Sequence, residues 1–338
     1  MIVHPASAVT QMPSCHRVSD QWIFSLSMQI NLPMHSGLDI KTCAIMTKET
    51  LTDYTQQLKT LLTDAISSSL KSQDNFGVLF SGGLDSSILA ALLASLYSEP
   101  FPLFVTGITA AKDIPQARLS ASHLNLPLTI RIFTHDDVKE KLRQILSICG
   151  VVDLLHAELA ISFFFATECA SQNNVTTVFS GQGADELFGG YARHEKHFIE
   201  SGSEKASVEM RSDLKKLQEV TFPCLQAVVN HFGLKLTTPY SDTSLIEYSR
   251  NLPFSCKLNL SSGEVVRKQL LRQLAQELGL PSQVVNAPKR AVQYGSGVHR
   301  ILTDLATEYW SEKEPTLSAR KARSHTRINQ FLARINDE

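Results

Sequence analysis

The chain is poor in several things, and each shortage removes a class of protein. It has no surplus charge of one sign, since 32 Lys and Arg stand against 33 Asp and Glu. A nearly neutral surface exerts no long-range pull on a polyanion, so nucleic acid is not expected as a partner. No apolar run approaches the ~20 residues that a membrane-spanning helix needs, and no membrane partner is expected. The start lacks the basic residues and apolar core of a secretory signal, which leaves a cytoplasmic location as the expectation. The six cysteines (Cys15, Cys43, Cys149, Cys169, Cys224 and Cys256) are scattered, with no Cys-x-x-Cys pair. That pattern argues against a disulfide framework, a zinc ribbon or an iron–sulfur site, and reads as buried free thiols. No internal repeat or low-complexity tract is present, which removes solenoids and arrays.

What remains is a chain long enough for one large domain or two fused lobes. Residues 1–45 carry Pro5, Pro13 and Pro33, scattered Ser and His, and one strand-like patch, Gln21 to Asn31. They read as a poorly ordered extension that need not belong to the native protein. Met46 looks the more natural start, because Thr47 can cap a helix with Glu49 or Thr50 in its first turn. A domain is expected over 46–310, and a polar helical tail over 311–338.

From Leu51 the periodicity is regular. Leu51, Leu58, Leu61, Leu62, Ala65, Ile66 and Leu70 fit one face of a helix. Strands are expected at Phe76–Phe80, Pro102–Ile108, Leu128–Phe133 and Val175–Phe179. Between them fall helices to about Tyr97, at Asp113–Leu124, Asp136–Ile148 and Leu159–Ser171. Alternating strands and helices predict an α/β fold, a doubly wound parallel sheet with helices on both faces. After Tyr191 the pattern is mostly helical, with helices expected at Val208–Glu219, Pro223–Phe232, Ser241–Asn251 and Gly263–Leu278. In such a fold the ligand crevice lies at the carboxyl ends of the strands.

Two loops fall at that end. The first is Ser81-Gly82-Gly83-Leu84-Asp85-Ser86-Ser87, between an apolar strand and an apolar helix. Two glycines let the backbone bring its N–H groups close to oxyanions, and the helix N-terminus adds more of them with a positive dipole end. Asp85 would repel a bare phosphate, so a carboxylate here makes sense if a metal ion bridges it to the phosphates. No Lys-Ser/Thr pair closes the loop, which separates it from a Walker A motif. The second is Ser180-Gly181-Gln182-Gly183-Ala184-Asp185-Glu186-Leu187-Phe188-Gly189-Gly190-Tyr191. Asp185 could share a Mg²⁺ with Asp85 across the crevice. His156 and Glu158, spaced like a strand pair, lack a third ligand and read as structural. Arg193 and His194 could reach a carboxylate substrate or serve only as surface caps.

The first loop resembles the pyrophosphate loop of the N-type ATP pyrophosphatases. The second resembles the Ser-Gly-Glu-Gly-Ala/Ser-Asp-Glu-x-Phe-Gly-Gly-Tyr segment of the asparagine synthetase family. Thr238-Pro239-Tyr240-Ser241-Asp242, the Lys-x-x-Leu-Arg run within Val266–Arg272, and Pro288–Gly297 are similar to further family motifs and follow in the family's order. The resemblance covers about Phe76 to Arg300. It implies an adenine nucleotide alpha hydrolase-like fold with a mostly helical part after it.

It also implies ATP and Mg²⁺ as cofactors. Ser81, Gly82, Gly83, Leu84, Asp85, Ser86 and Ser87 would take the pyrophosphate, and Ser180 and Gly181 would line the adenine and ribose pocket. Asp85 and Asp185 would hold the metal, and Lys289, or Arg290 beside it, would steady the leaving pyrophosphate. Leu79 and Ile108 are candidate walls of the nucleotide pocket, although core packing suits both. The implied reaction is adenylation of a small carboxylate, aspartate first among candidates, followed by transfer of ammonia to give asparagine.

Two departures qualify this. Gln182 stands where the family usually has Glu; it can accept a hydrogen bond from an amine but cannot take its proton at neutral pH. The second step then slows, changes its nucleophile or relies on Glu186. Met1 is followed by Ile2, with no N-terminal cysteine nucleophile and too few residues before Phe76 for the family's glutaminase domain. Free ammonia, a separate glutaminase subunit or another nucleophile is expected instead, and a homodimer remains open. The alternatives are an ATP pyrophosphatase for another acid or amine acceptor, and a nucleotide-binding subunit that partners a glutaminase.

Overall fold

A computed structural model of the chain describes residues 48–70, 75–261, 264–288 and 292–337. The readings made for residues 1–45, including Cys15, Cys43 and the Gln21–Asn31 patch, lie outside them. In chain order the elements are α1 (Lys48–Ser69), β1 (Phe76–Leu79), α2 (Leu84–Leu96), β2 (Leu103–Gly107), α3 (Asp113–His123), β3 (Leu128–Ile132), α4 (His135–Cys149), α5 (Leu154–Gln172) and β4 (Thr177–Ser180). There follow α6 (Ala184–Phe188), α7 (Ala192–Lys216), α8 (Phe222–His231), β5 (Lys235–Thr237), α9 (Thr243–Asn251), β6 (Leu258–Ser261), β7 (Glu264–Arg267), α10 (Gln269–Glu277), α11 (Ser282–Val285), α12 (Val292–Ser296), α13 (Val298–Lys313), α14 (Ala319–Ala322) and α15 (His325–Asp337).

Five strands form one parallel sheet in the order β3-β2-β1-β4-β5. Strand side chains alternate between its faces. Leu103, Val105 and Phe179 pack on one side with α1, α2 and α3, while Phe104 and Val178 pack on the other with α4, α5, α8, α13 and α15. Both faces are therefore covered, which is what a parallel sheet of Val, Phe and Leu requires. The chain runs outward from β1 to β2 and β3, then crosses back to place β4 on the other side of β1. This reversal of direction puts a crevice beside the C-terminal end of β1. Among the described residues no single helix is long and apolar enough to cross a membrane.

Three local features differ from the sequence expectations. The helix expected at Gly263–Leu278 is not formed over the described residues 264–278: β6 and β7 pair antiparallel, and α10 begins only at Gln269. Val265 and Val266, branched at Cβ, suit the strand, and Lys268 in a left-handed conformation breaks it from the helix. The short β5 closes the sheet's edge in the gap between the helices expected at Pro223–Phe232 and Ser241–Asn251, where no strand was expected. Its Leu236 and Thr237 are buried, so tertiary packing decides three residues that carry little pattern of their own.

The third difference is covalent. Cys149 and Cys224 form a disulfide that ties the end of α4 to the start of α8, whereas Cys169 and Cys256 are buried thiols. The sequence could not show this pair, because the two positions are 75 residues apart and meet only when α4 packs on α8. Closing so long a loop restricts the unfolded chain. Reducing the bond, or replacing both cysteines with alanine, is expected to lower unfolding stability by about 2–4 kcal/mol, measured as denaturant midpoints with and without reductant.

Candidate functional site

The site grows from one register. Leu79 of β1 pairs with Ser180 of β4, so the two glycine loops leave the sheet side by side. In the first loop Gly82 has φ +70°, and a Cβ there would come within 2.4 Å of the Ala117 backbone on α3. Loop and helix meet where only glycine fits. Gly83 is the N-cap of α2 and receives no side-chain cap, which leaves the first N–H groups of the helix facing the loop. The Ser81 hydroxyl accepts from the Gly83 N–H at 3.3 Å, and the Ser86 hydroxyl donates to the Gly83 carbonyl at 3.3 Å. Ser87 is fully buried and pairs with Ser120 of α3 at 2.7 Å, away from the loop's open face.

The second loop packs directly on the first. A Cβ on Gly181 would lie 3.2 Å from that of Asp85. Gly183, with φ +100°, starts the short helix α6 and projects Asp185 back toward Asp85. Both carboxylates converge on Lys268, the residue between β7 and α10. Its Nζ lies 2.6 and 2.5 Å from the two Asp85 oxygens and 2.7 Å from Asp185 Oδ1. Lys268 is only 2% exposed. Gly190 makes room for this group, since a Cβ there would meet Asp185 Oδ1 at 1.7 Å and Lys268 Cε at 2.5 Å. Tyr240, fully buried, donates to the Asp85 carbonyl at 3.2 Å. Burial, and then the charges of Asp85 and Asp185, push its phenol well above the ordinary range, so it stays a donor.

Two adjoining cavities open onto these carboxylates. The first runs from Leu79, Phe104, Thr106, Ser162 and Phe163 to Ser180, Gly181 and Gln182, ending at Ser81, Ser86, Asp85 and Asp185. The second continues past Ser81, Gly83, Leu84 and Asp85 to Gln116, Lys268 and Arg272. One part offers apolar walls and hydroxyls, and the other offers backbone N–H groups and cations. That suits an elongated ligand with a flat apolar end and an anionic tail. Two aspartates sharing one small cation also fit the donor set that a hard divalent ion takes. Lys268 already stands in for such an ion.

Other expected site residues fall differently. Glu186 lines neither cavity; it is buried beneath α6 and accepts a hydrogen bond from the Tyr191 hydroxyl at 2.6 Å. Ile108 donates its N–H to the Ser296 carbonyl, and its side chain packs over Gly297 outside both linings. Lys289 and Arg290 lie outside the described residues. His156 and Glu158 sit on helix α5 rather than a strand and do not face a common ion. His156 bonds Asp153 at 2.7 Å and Thr221 at 3.1 Å, while buried Glu158 bonds His299 at 2.6 Å.

Sequence reasoning missed Lys268 as an individual residue, although it noticed the Lys-x-x-Leu-Arg run. Asp113, which lines both cavities, was read only as the start of α3. Ser162 arrives from α5 with no sequence signal, whereas Ser296 falls within the Pro288–Gly297 motif but was not singled out there.

An α/β sheet carrying paired glycine loops and converging aspartates at its switch point defines a nucleotide-site protein of the doubly wound class. The family model described as asparagine synthase matches residues 57–221 and 201–337. The chain belongs to the asparagine synthase family. It is 30% identical over 305 residues to a Methanocaldococcus jannaschii protein that carries an asparagine synthetase (glutamine-hydrolyzing) name, covering 82% of this chain and 54% of that one. It is 26% identical to the Gallus gallus asparagine synthetase (glutamine-hydrolyzing), covering 86% and 50%. Against the Homo sapiens asparagine synthetase (glutamine-hydrolyzing) it is 27% identical, covering 70% and 43%. The chain spans about half the length of these relatives.

Arg193 and His194, just after the second loop, meet Asp213 because α7 is broken at Gly202 (φ +82°, ψ +178°), which folds its second half back on the first. Asp213 accepts from His194 Nε2 at 2.8 Å and from Arg193 at 2.8–3.0 Å. Burial alone would raise the Asp213 carboxyl, but the His194 hydrogen bond and the Arg193 charge hold it below its ordinary value. A depressed acid stabilises the fold above its unfolded pKa of ~3.9 and loses that contribution as pH falls through the folded value. Asp213→Asn should therefore cost about 3 kcal/mol at pH 7. The gap from wild type should shrink below about pH 4, as read by denaturant titrations at both pH values.

Proposed function

We propose that the chain is an ATP-dependent, amide-forming ligase that adenylates a small carboxylate, with aspartate the first candidate, and then passes the acyl group to ammonia. The observation that carries this reading is the convergence of Asp85 and Asp185 beside the uncapped N-terminus of α2. ATP enters with its base against Phe104 and Phe163 and its phosphates along Ser81 to Ser86. A substrate carboxylate oxygen bonds to the α-phosphorus, and the bond to the β-phosphate bridging oxygen breaks. Charge moves onto the departing pyrophosphate, where the α2 N-terminus is already oriented to receive it and Lys268 lines the same cavity. A Mg²⁺ on Asp85 and Asp185 would supply further charge neutralisation there. The amine nitrogen then bonds to the acyl carbon, the bond to the AMP oxygen breaks, and a proton leaves the nitrogen.

Gln182 lines the first cavity beside Asp185 and supports a second reading, in which the acid or the amine differs from that of asparagine synthesis. It can hold an amine by hydrogen bonding but cannot remove its proton. Lys289 or Arg290 remains our choice for a further cation on the pyrophosphate. A homodimer and a separate glutaminase subunit remain partner proposals.

The test is incubation of the protein with Mg²⁺-ATP and ammonium, with and without aspartate, measuring pyrophosphate, AMP and asparagine. Aspartate-dependent pyrophosphate with asparagine is expected. Pyrophosphate release that ignores aspartate would remove asparagine as the product. Asp185→Asn should lower pyrophosphate release by about 10²–10³-fold. Gln182→Glu should raise amide yield per pyrophosphate released while leaving exchange of labelled pyrophosphate into ATP unchanged.

A further inference from the structure

Lys268 does more than neutralise two acids. Its ammonium occupies the point on which Asp85 and Asp185 both converge, 2.5–2.7 Å from three of their oxygens. A divalent ion serving the same two carboxylates needs that point. The lysine is tethered by its own backbone and 2% exposed, so it does not drift away. Its backbone has φ +57° and ψ +40° at the N-cap of α10, a conformation rare for a side chain of this size. The strain is held by neighbours: the Gln269 N–H donates to the Lys257 carbonyl at 3.1 Å, and the Arg272 N–H to the Lys268 carbonyl at 3.0 Å. Backbone strain that the surroundings over-determine marks a position whose side chain must point one way. The same ammonium also lines the second cavity, beside Ser81 and Gly83, where the anionic tail would lie.

We propose that Lys268 is a resident counter-ion that keeps divalent metal out of the Asp85–Asp185 seat until a polyphosphate arrives to draw the ammonium away. The metal then enters only with nucleotide, and the site is never loaded with metal alone. The physical basis is competition. Metal can bind only the fraction of molecules in which the lysine has left, so its apparent affinity falls by that fraction. A phosphate tail beside Nζ offers the ammonium a second anion and raises the fraction. The inference rests on the reading that these two aspartates hold the metal, and its test separates the two.

Binding of Mn²⁺ would be followed by equilibrium dialysis as Mn²⁺ retained with the protein in excess of that in a protein-free compartment holding the same nucleotide, for wild type, Lys268→Met and the double variant Lys268→Met/Asp185→Asn, with and without α,β-methylene-ATP. Wild type is expected to take up Mn²⁺ only with the nucleotide analogue. Lys268→Met should bind Mn²⁺ without nucleotide at least about tenfold more tightly than wild type, and the double variant should lose this binding. Thermal melts give a second readout. Without the lysine the two carboxylates repel, so Mn²⁺ alone should raise the melting temperature of Lys268→Met and leave that of wild type unmoved. A variant that folds only with Mn²⁺ supports the proposal equally.

Wild type that binds Mn²⁺ alone as tightly as with nucleotide overturns the proposal, whatever the variant does. So does a Lys268→Met protein that binds Mn²⁺ no more tightly than wild type. Absence of Mn²⁺ binding in wild type and Lys268→Met even with nucleotide overturns the reading of the metal seat itself. Tight binding by Lys268→Met that survives Asp185→Asn would move the seat elsewhere.

Discussion

The parallel pairing of β1 with β4 is the constraint on which the rest of the site depends. A parallel sheet points every strand's carboxyl end the same way, and the reversal of chain direction at β1 makes these two strands neighbours. Two loops separated by about a hundred residues of sequence thereby share one crevice. Without that register Asp85 and Asp185 would be two unrelated acids near helix starts. With it they become a pair close enough to share one cation.

Glycine makes the approach possible at a few positions, for different reasons. Gly82 lets the first loop pass against the α3 backbone, and Gly181 lets the second loop rest on Asp85. Gly190 leaves the space that the Asp185 carboxylate and the Lys268 stem occupy. The loops cannot relax outward, because α2, α3 and α6 are anchored in the core beneath them. The chemistry is thus held by packing some distance from it, as a preorganised site requires.

The region after Tyr191 serves this crevice from outside the sheet. The β6–β7 hairpin delivers Lys268, and Tyr240 comes from the turn after β5. Arg272 fixes the segment beyond α10 by donating to the carbonyls of Arg267, Val285 and Ala287. A mostly helical lobe therefore contributes a cation, a phenol and a wall to a site whose anions lie on the sheet. The Arg193–Asp213–His194 cluster stands behind the second loop as support rather than as a substrate clamp.

Much of this was legible in the sequence because it depends on local pattern. Strand–loop–helix units have characteristic periodicity, and a loop with paired glycines, hydroxyls and one acid has few structural uses. The alternation of strands and helices, both loops and the family resemblance therefore came from residues close together in the chain. The tertiary structure decided what depends on distant residues meeting. It made a hairpin where a helix was expected, because Lys268 takes a left-handed conformation held by the Gln269 N–H on the Lys257 carbonyl and the Arg272 N–H on the Lys268 carbonyl. It joined Cys149 to Cys224 because α4 packs on α8. It buried Glu186 beneath its own helix and turned Ser87 toward Ser120, although both lie within the motifs that brought them to notice. Above all it set Lys268 between Asp85 and Asp185, an arrangement no spacing records, since one cation from after the hairpin answers two anions from separate strands.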